Sequence, residues 1–190
     1  MFVVCDTCSL IMLLRIAPSM FTDGRYKCIT IQSVLDEFVR AKRFKTRYPW
    51  RDTYRPYIKP ILLGNMRTPD FLYQQPLIKA LAATAKNPRQ HNRPYALSSP
   101  DLDVLTTAIA NDWKLTTVEH NLTDFAEQEF NLSVLSPLYL VNEWITAKLL
   151  EWDDAKQGVL DDWIAQNERP QPSTEIMRFE KLTHRKYPTK

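Results

Sequence analysis

Glycine is scarce in this chain, with 3 among 190 residues. That argues against a turn-dense all-β fold. No GxGxxG or GxxxxGK[ST] pattern occurs either, so phosphate-cradling loops of those kinds are not expected. Cysteine is equally rare, and its odd number (Cys5, Cys8, Cys28) does not suggest a disulfide framework. Cys5-x-x-Cys8 has no partner CxxC, so the three read as small buried hydrophobes with reduced thiols. No apolar run is long enough to span a membrane, and the N-terminus lacks the basic region and cleavage site of a secretory signal. A cytoplasmic protein is expected. Neither sign of charge dominates, the formal net charge being +3.

What is present is an alternation. The apolar run Met1 to Cys5 reads as a buried strand, and Cys8 to Met20 as the helix after it. Lys27 to Thr30 reads as a strand and Gln32 to Arg43 as an amphipathic helix, with Val34, Leu35, Phe38 and Val39 on its apolar face. Thr46 to Pro69, rich in proline and aromatics, reads as irregular with one or two short helices. Leu72 to Lys86 is helical in pattern and Asn87 to Pro94 a polar loop. Pro100 to Asp112 reads as a helix capped by Ser98 or Ser99. Lys114 to Thr117 and Ser133 to Leu135 read as strands, with a helix from Leu122 to Phe130 between them. Leu138 to Trp152 is a long helix, Asp154 to Asn167 a further one, and Arg169 onward an extended tail. Strands alternating with helices predict an α/β fold whose central sheet is mainly parallel and carries helices on both faces.

Four acids stand where such a sheet gathers its ligands, outside the carboxyl ends of its strands. Asp6 ends the first strand, Glu37 lies in the second helix, Asp101 opens the helix after Ser99, and Glu119 follows the strand at Leu115 to Thr117. Each has a plain alternative: a helix cap for Asp6, a solvated face for Glu37, a capping box with Ser98 for Asp101, a loop position for Glu119. Asp103 lies about 200° around its helix from Asp101 and is not expected to face the same point. Jointly the four carboxylates suggest a site for a hard divalent cation, Mg²⁺ or Mn²⁺, since crowded carboxylates repel one another until a cation joins them. His91, His120 and His184 are too scattered for a zinc site.

A second pattern lies between residues 40 and 59. Arg40, Lys42, Arg43, Lys45, Arg47, Arg51, Arg55 and Lys59 face one acid, Asp52, with Phe44, Tyr48, Trp50, Tyr54 and Tyr57 interleaved. Cations meet phosphates and aromatic faces stack on unpaired bases. A solvated helix face is the ordinary alternative for such a run.

Together these segments resemble the PIN-domain ribonucleases, the family that includes VapC-type toxins. The resemblance rests on Val3-Val4-Cys5-Asp6-Thr7-Cys8-Ser9-Leu10, on Ser33-Val34-Leu35-Asp36-Glu37-Phe38, on Leu97 to Ala108 around Asp101, and on Leu115-Thr116-Thr117-Val118-Glu119-His120-Asn121-Leu122. It implies a three-layer α/β/α sandwich over residues 1 to 152, with a helical insert at about 46 to 94 and a C-terminal helical extension over 153 to 190. It implies a metal-dependent endoribonuclease, with Asp6, Glu37, Asp101 and Glu119 as ligands to Mg²⁺ or Mn²⁺. Thr7 would orient the strand-one carboxylate or contact a metal-bound water. Arg40, Lys42, Arg43, Lys45, Arg47 and Arg51 would hold RNA, and a cognate antitoxin protein and a homodimer would be the partners. Cys8, Glu119 and Asn121 depart from the family's usual Ser or Asn, Asp and Asp. A catalytically weak RNA-binding module of the same fold is the alternative they raise.

Overall fold

The computed structural model describes residues 1–61, 68–168 and 171–189. Part of the segment read as irregular (62–67) and the start of the tail (169–170) lie outside them. Four short strands form one parallel sheet. These are β1 (Val3–Cys5), β2 (Cys28–Ile29), β5 (Lys114–Thr116) and β6 (Val134–Leu135), in the order β2-β1-β5-β6. β1 is central, with Val4 opposite Ile29 on one side and Leu115 on the other. Two residues of a strand in sequence point to opposite faces, and the core divides accordingly. Val3 and Cys5 join a cluster with Leu10, Leu14, Leu138 and Trp163, whereas Val4 and Leu115 join one with Val34, Val104, Leu105 and Phe125. An antiparallel pair, β3 (Lys86–Asn87) and β4 (Arg93–Pro94), replaces the polar loop expected there.

The helices are α1 (Thr7–Leu13), α2 (Gln32–Arg40), α3 (Lys42–Arg47), α4 (Arg51–Tyr54), α5 (Pro69–Thr84), α6 (Ser99–Ala110), α7 (His120–Phe130), α8 (Pro137–Thr146), α9 (Asp154–Ala165) and α10 (Ser173–Thr183). α1 ends earlier than its apolar run, because Pro18, which has no N–H to give a helix, opens a 3₁₀ turn at Pro18–Phe21. α8 stops at Thr146 rather than reaching Trp152, since the chain turns left-handed at Lys148 (φ 58°). α10 stands where an extended tail was expected. Its sequence is flanked by prolines, yet Phe179 is fully buried, and Arg178 pairs with Glu143 of α8 at 2.6 Å. The C-terminal helices share the main core: Val159, Leu160 and Trp163 of α9 are buried in it, and Trp163 Nε1–H donates to Met12 O at 3.1 Å.

With so little glycine, left-handed turns fall to other residues. Eight of them have positive φ among the described residues: Lys27, His91, Asn92, Asp112, Asn131, Lys148, Asn167 and His184. No helix among the described residues is long and apolar enough to cross a membrane.

Candidate functional site

Asp6 leaves β1 and caps α1. Its Oδ1 accepts the Ser9 N–H at 2.8 Å and its Oδ2 accepts the Thr117 hydroxyl at 2.5 Å. Thr117 lies just past the end of the adjacent strand β5, and its oxygen also accepts the Glu119 N–H at 2.9 Å. The capping role and the site role therefore coexist in one carboxyl group. Asp6 is 2% exposed, and burial, joined by the charge of Asp101, pushes its pKa from 3.8 to about 7, against the hydrogen bonds from Thr117 and Ser9.

The other three acids arrive from separate elements. Glu37, on α2, accepts the Thr7 hydroxyl at 2.5 Å and Arg43 Nη2 at 3.0 Å. Asp101, in the first turn of α6, closes a capping box. Its Oδ2 accepts the Ser98 N–H and hydroxyl, both at 2.8 Å, while Ser98 Oγ accepts the Asp101 N–H at 3.3 Å. Burial raises the Asp101 pKa, and the charges of Glu119 and Glu37 add to the rise while the Ser98 bonds oppose it. Glu119, between β5 and α7, accepts the Cys8 S–H at 2.9 Å.

All five residues predicted as catalytic line one cavity of about 200 Å³, with Cys8, Arg43 and Ser98 in the same wall. Thr7 orients Glu37 rather than Asp6; the residue that orients Asp6 is Thr117. Cys8 packs against the main core but is only half-buried, unlike Cys5 and Cys28, and its thiol lines the cleft. The signal for it was its place in the first turn after Asp6. Asp103 is turned away and accepts Gln75 Nε2 of α5 at 3.1 Å.

Among the described residues no three or more His, Cys, Asp or Glu are arranged to hold a metal ion. The donor chemistry nevertheless fits one. Four hard-oxygen carboxylates share a small cavity, and Asp6 and Asp101 each feel a neighbouring negative charge, the situation a divalent cation relieves. Each carboxylate is engaged within the protein, so Glu37 and Glu119 can turn into the cavity only by giving up Thr7, Arg43 and Cys8.

The basic run divides. Arg40, Lys42, Arg43, Lys45 and Arg47 are exposed on α2 and α3. Arg51 does not belong with them. It is 2% exposed, and its guanidinium donates to the carbonyls of Phe38 (2.8 Å), Val39 (2.8 Å) and Ala41 (3.3 Å). It thus satisfies the end of α2, whose last carbonyls have no partner in the helix. Phe44 and Tyr48 are likewise core residues rather than exposed stacking faces.

Compared with known proteins, the chain matches no family model, no curated protein and no solved structure.

Proposed function

We propose that the protein is a metal-dependent endoribonuclease with a PIN-type α/β/α arrangement. One observation carries this reading. Asp6, Glu37, Asp101 and Glu119, from four places in the sequence, line a single cavity whose rim holds Arg43. A lone buried acid is explained by packing; four sharing one cleft support a site that a hard divalent cation would suit.

Asp6 and Asp101 would hold Mg²⁺ or Mn²⁺ together with Glu37 and Glu119. Such an ion, when bound, supplies a water of lowered pKa and neutralises charge on a phosphodiester. The chain's own residues set the stage. Thr117 and Ser9 hold the Asp6 carboxylate in orientation, Thr7 does so for Glu37, and Arg43 places a cation where an RNA phosphate would lie. A toxin role with a cognate antitoxin and a homodimer belongs to the same reading. Growth arrest on expression, relieved by Asp6→Asn, would support the toxin role.

The internal engagement of Glu37 and Glu119, and the Glu and Asn that stand at 119 and 121, favour a second reading: an RNA-binding module with weak catalysis. Cleavage of mixed-sequence single-stranded RNA by wild type and Asp6→Asn, in Mg²⁺, Mn²⁺ or EDTA, separates the two. The nuclease reading expects cleavage that needs metal and vanishes in the variant. Full cleavage by Asp6→Asn would overturn it. Binding without cleavage in any metal would leave the module.

A further inference from the structure

The acidic cleft does not end at Glu119. Cys8, Arg43 and Glu119 also line an adjoining cavity of about 360 Å³. That cavity shares Ile11, Arg47, Tyr48 and Glu168 with a third, of about 170 Å³, which reaches Trp50 and Trp163. The three make one path from the carboxylates, past Arg43 and Arg47, to the Trp50 ring. A single strand needs cations for its phosphates and an aromatic face for an unpaired base, and the path offers them in that order.

Trp50 stands half-buried in the wall of this third cavity, where an unpaired base would stack on the Arg15 guanidinium plane or take its place over the ring. Its ring meets Tyr48 and Tyr54 near edge-on (65° and 88°), so neither ring lies flat on it. The Arg15 guanidinium lies over it, 5.4 Å from the centroid. Around the ring the protein presents acceptors. Asp162 takes Arg15, Glu168 takes Arg47 at 3.1 Å, and the Gln166 carbonyls also take Arg47. A guanidinium has five N–H donors, so pairing with a carboxylate leaves donors for phosphate. A base carrying an exocyclic amino group can donate to the Asp162 and Glu168 carboxylates. Uracil offers only its N3–H, flanked on both sides by carbonyl oxygens whose lone pairs the carboxylates repel.

We propose that the Trp50 pocket is a nucleobase-reading subsite that admits an unpaired base bearing an exocyclic amino group and disfavours uracil. It rests on the reading of the neighbouring cleft as an RNA site and adds a base preference to it. Its walls come from the end of α1 and Arg15 after it, from the segment around Trp50, and from α9 and the residues after it, all outside the four motifs that resemble the nuclease family.

The test is binding rather than cleavage, with the Asp6→Asn protein in EDTA. Labelled uridine-only oligomers are compared with the same oligomers carrying one central guanine, adenine or cytosine. The amino-bearing oligomers should bind about tenfold tighter. Trp50→Ala should lower their affinity about tenfold and leave uridine-only binding almost unchanged. Asp162→Asn, whose side chain is 53% exposed and keeps one oxygen to accept Arg15, should narrow the preference while far-UV circular dichroism stays native. Equal binding of all oligomers, an unchanged preference in both variants, or no RNA binding would overturn the proposal. Selective binding here, beside a wild type that cleaves in neither Mg²⁺ nor Mn²⁺, would keep the subsite and remove the nuclease; wild-type cleavage with no base preference in binding would do the reverse.

Discussion

Asp6→Asn, the substitution expected to silence the cleft, should also stabilise the fold, by an amount that grows with pH. Asp6 is 2% exposed, and burial with the Asp101 charge moves its pKa from 3.8 to about 7. In the unfolded chain the carboxyl returns to its ordinary value of about 3.9. Between about pH 4 and 7 the folded protein therefore holds a proton that the unfolded chain has lost, and stability falls as pH rises through that window. Below it both states are protonated and the cost is absent; above it the cost is complete. At about 1.4 kcal/mol per tenfold change in acidity, the complete cost is about 4 kcal/mol.

Asparagine carries no charge to bury, and its Oδ1 still accepts the Ser9 N–H. For a chain of this length each kcal/mol moves Tm by about 2–4 °C. Asp6→Asn should therefore melt roughly 10 °C above wild type at pH 8 and level with it at pH 4. Hydrogen bonds from Arg25 and Lys156 hold Asp23 and Asp153 below the usual carboxylate range. Those groups give a slope of the opposite sign in both proteins, and it cancels in the difference. The assay is thermal unfolding in EDTA across this pH range. A difference in Tm that does not change with pH, or a variant less stable than wild type at pH 8, would refute the reasoning. Saturating Mn²⁺ should close part of the gap from the wild-type side alone, by about 2.7 kcal/mol at a hundred times Kd.

Other expectations follow from single residues. Arg51→Ala should destabilise by about 3–5 kcal/mol, read as a fall in urea midpoint, because it strands the carbonyls of Phe38, Val39 and Ala41 and leaves a void; RNA affinity per folded molecule should not change. Arg43→Ala should do the opposite. It should leave the urea midpoint within about 0.5 kcal/mol and lower the salt dependence of RNA binding by about one phosphate contact. Lys148→Gly should stabilise by about 0.5–1 kcal/mol, since at φ 58° a side chain pays for a left-handed turn that glycine adopts freely; a lower urea midpoint would count against it.

The parts of the fold that were legible in sequence are those where pattern and environment agree. Val3-Val4-Cys5 and Lys114-Leu115-Thr116 read as strands because buried parallel strands are continuous apolar or β-branched runs. Ser98-Ser99-Pro100-Asp101 read as a helix start because capping chemistry is local, and the capping box formed. The order β2-β1-β5-β6 was not legible, since parallel neighbours far apart in the chain leave no local trace. Nor was α10: Ile176, Phe179 and Leu182 recur every three positions, but the prolines before and after them read as an extended tail. Asp6, Asp101 and Glu119 were found from positions after strands and in a first turn, and Glu37 from its place beside the apolar face of the second helix. Their partners were not: Thr7 meets Glu37 across thirty positions and Thr117 meets Asp6 across 111, separations that no spacing rule reaches.

The basic run shows why composition alone misassigns. Arg43 and Arg51 stand eight positions apart in one stretch of like charge, yet the Arg43 side chain is 68% exposed and that of Arg51 2%. Periodicity does not separate them, because α3, a turn at Tyr48 to Trp50 and α4 succeed one another too quickly for any helical phase to persist. What separates them is the partner each finds. Arg51 meets backbone carbonyls at the end of α2, where a flat group with several donors serves three acceptors at once. Arg43 meets Glu37 at the cleft, and Arg47 and Arg15 meet Glu168 and Asp162 along the path to Trp50. The cations that line the path are thus paired with carboxylates of the cleft, of α9 or of the residues just after it. RNA must compete with those acids, whereas a cation in the cleft would draw Glu37 away from Arg43. On the proposed reading, metal and RNA therefore assist one another through that one ion pair.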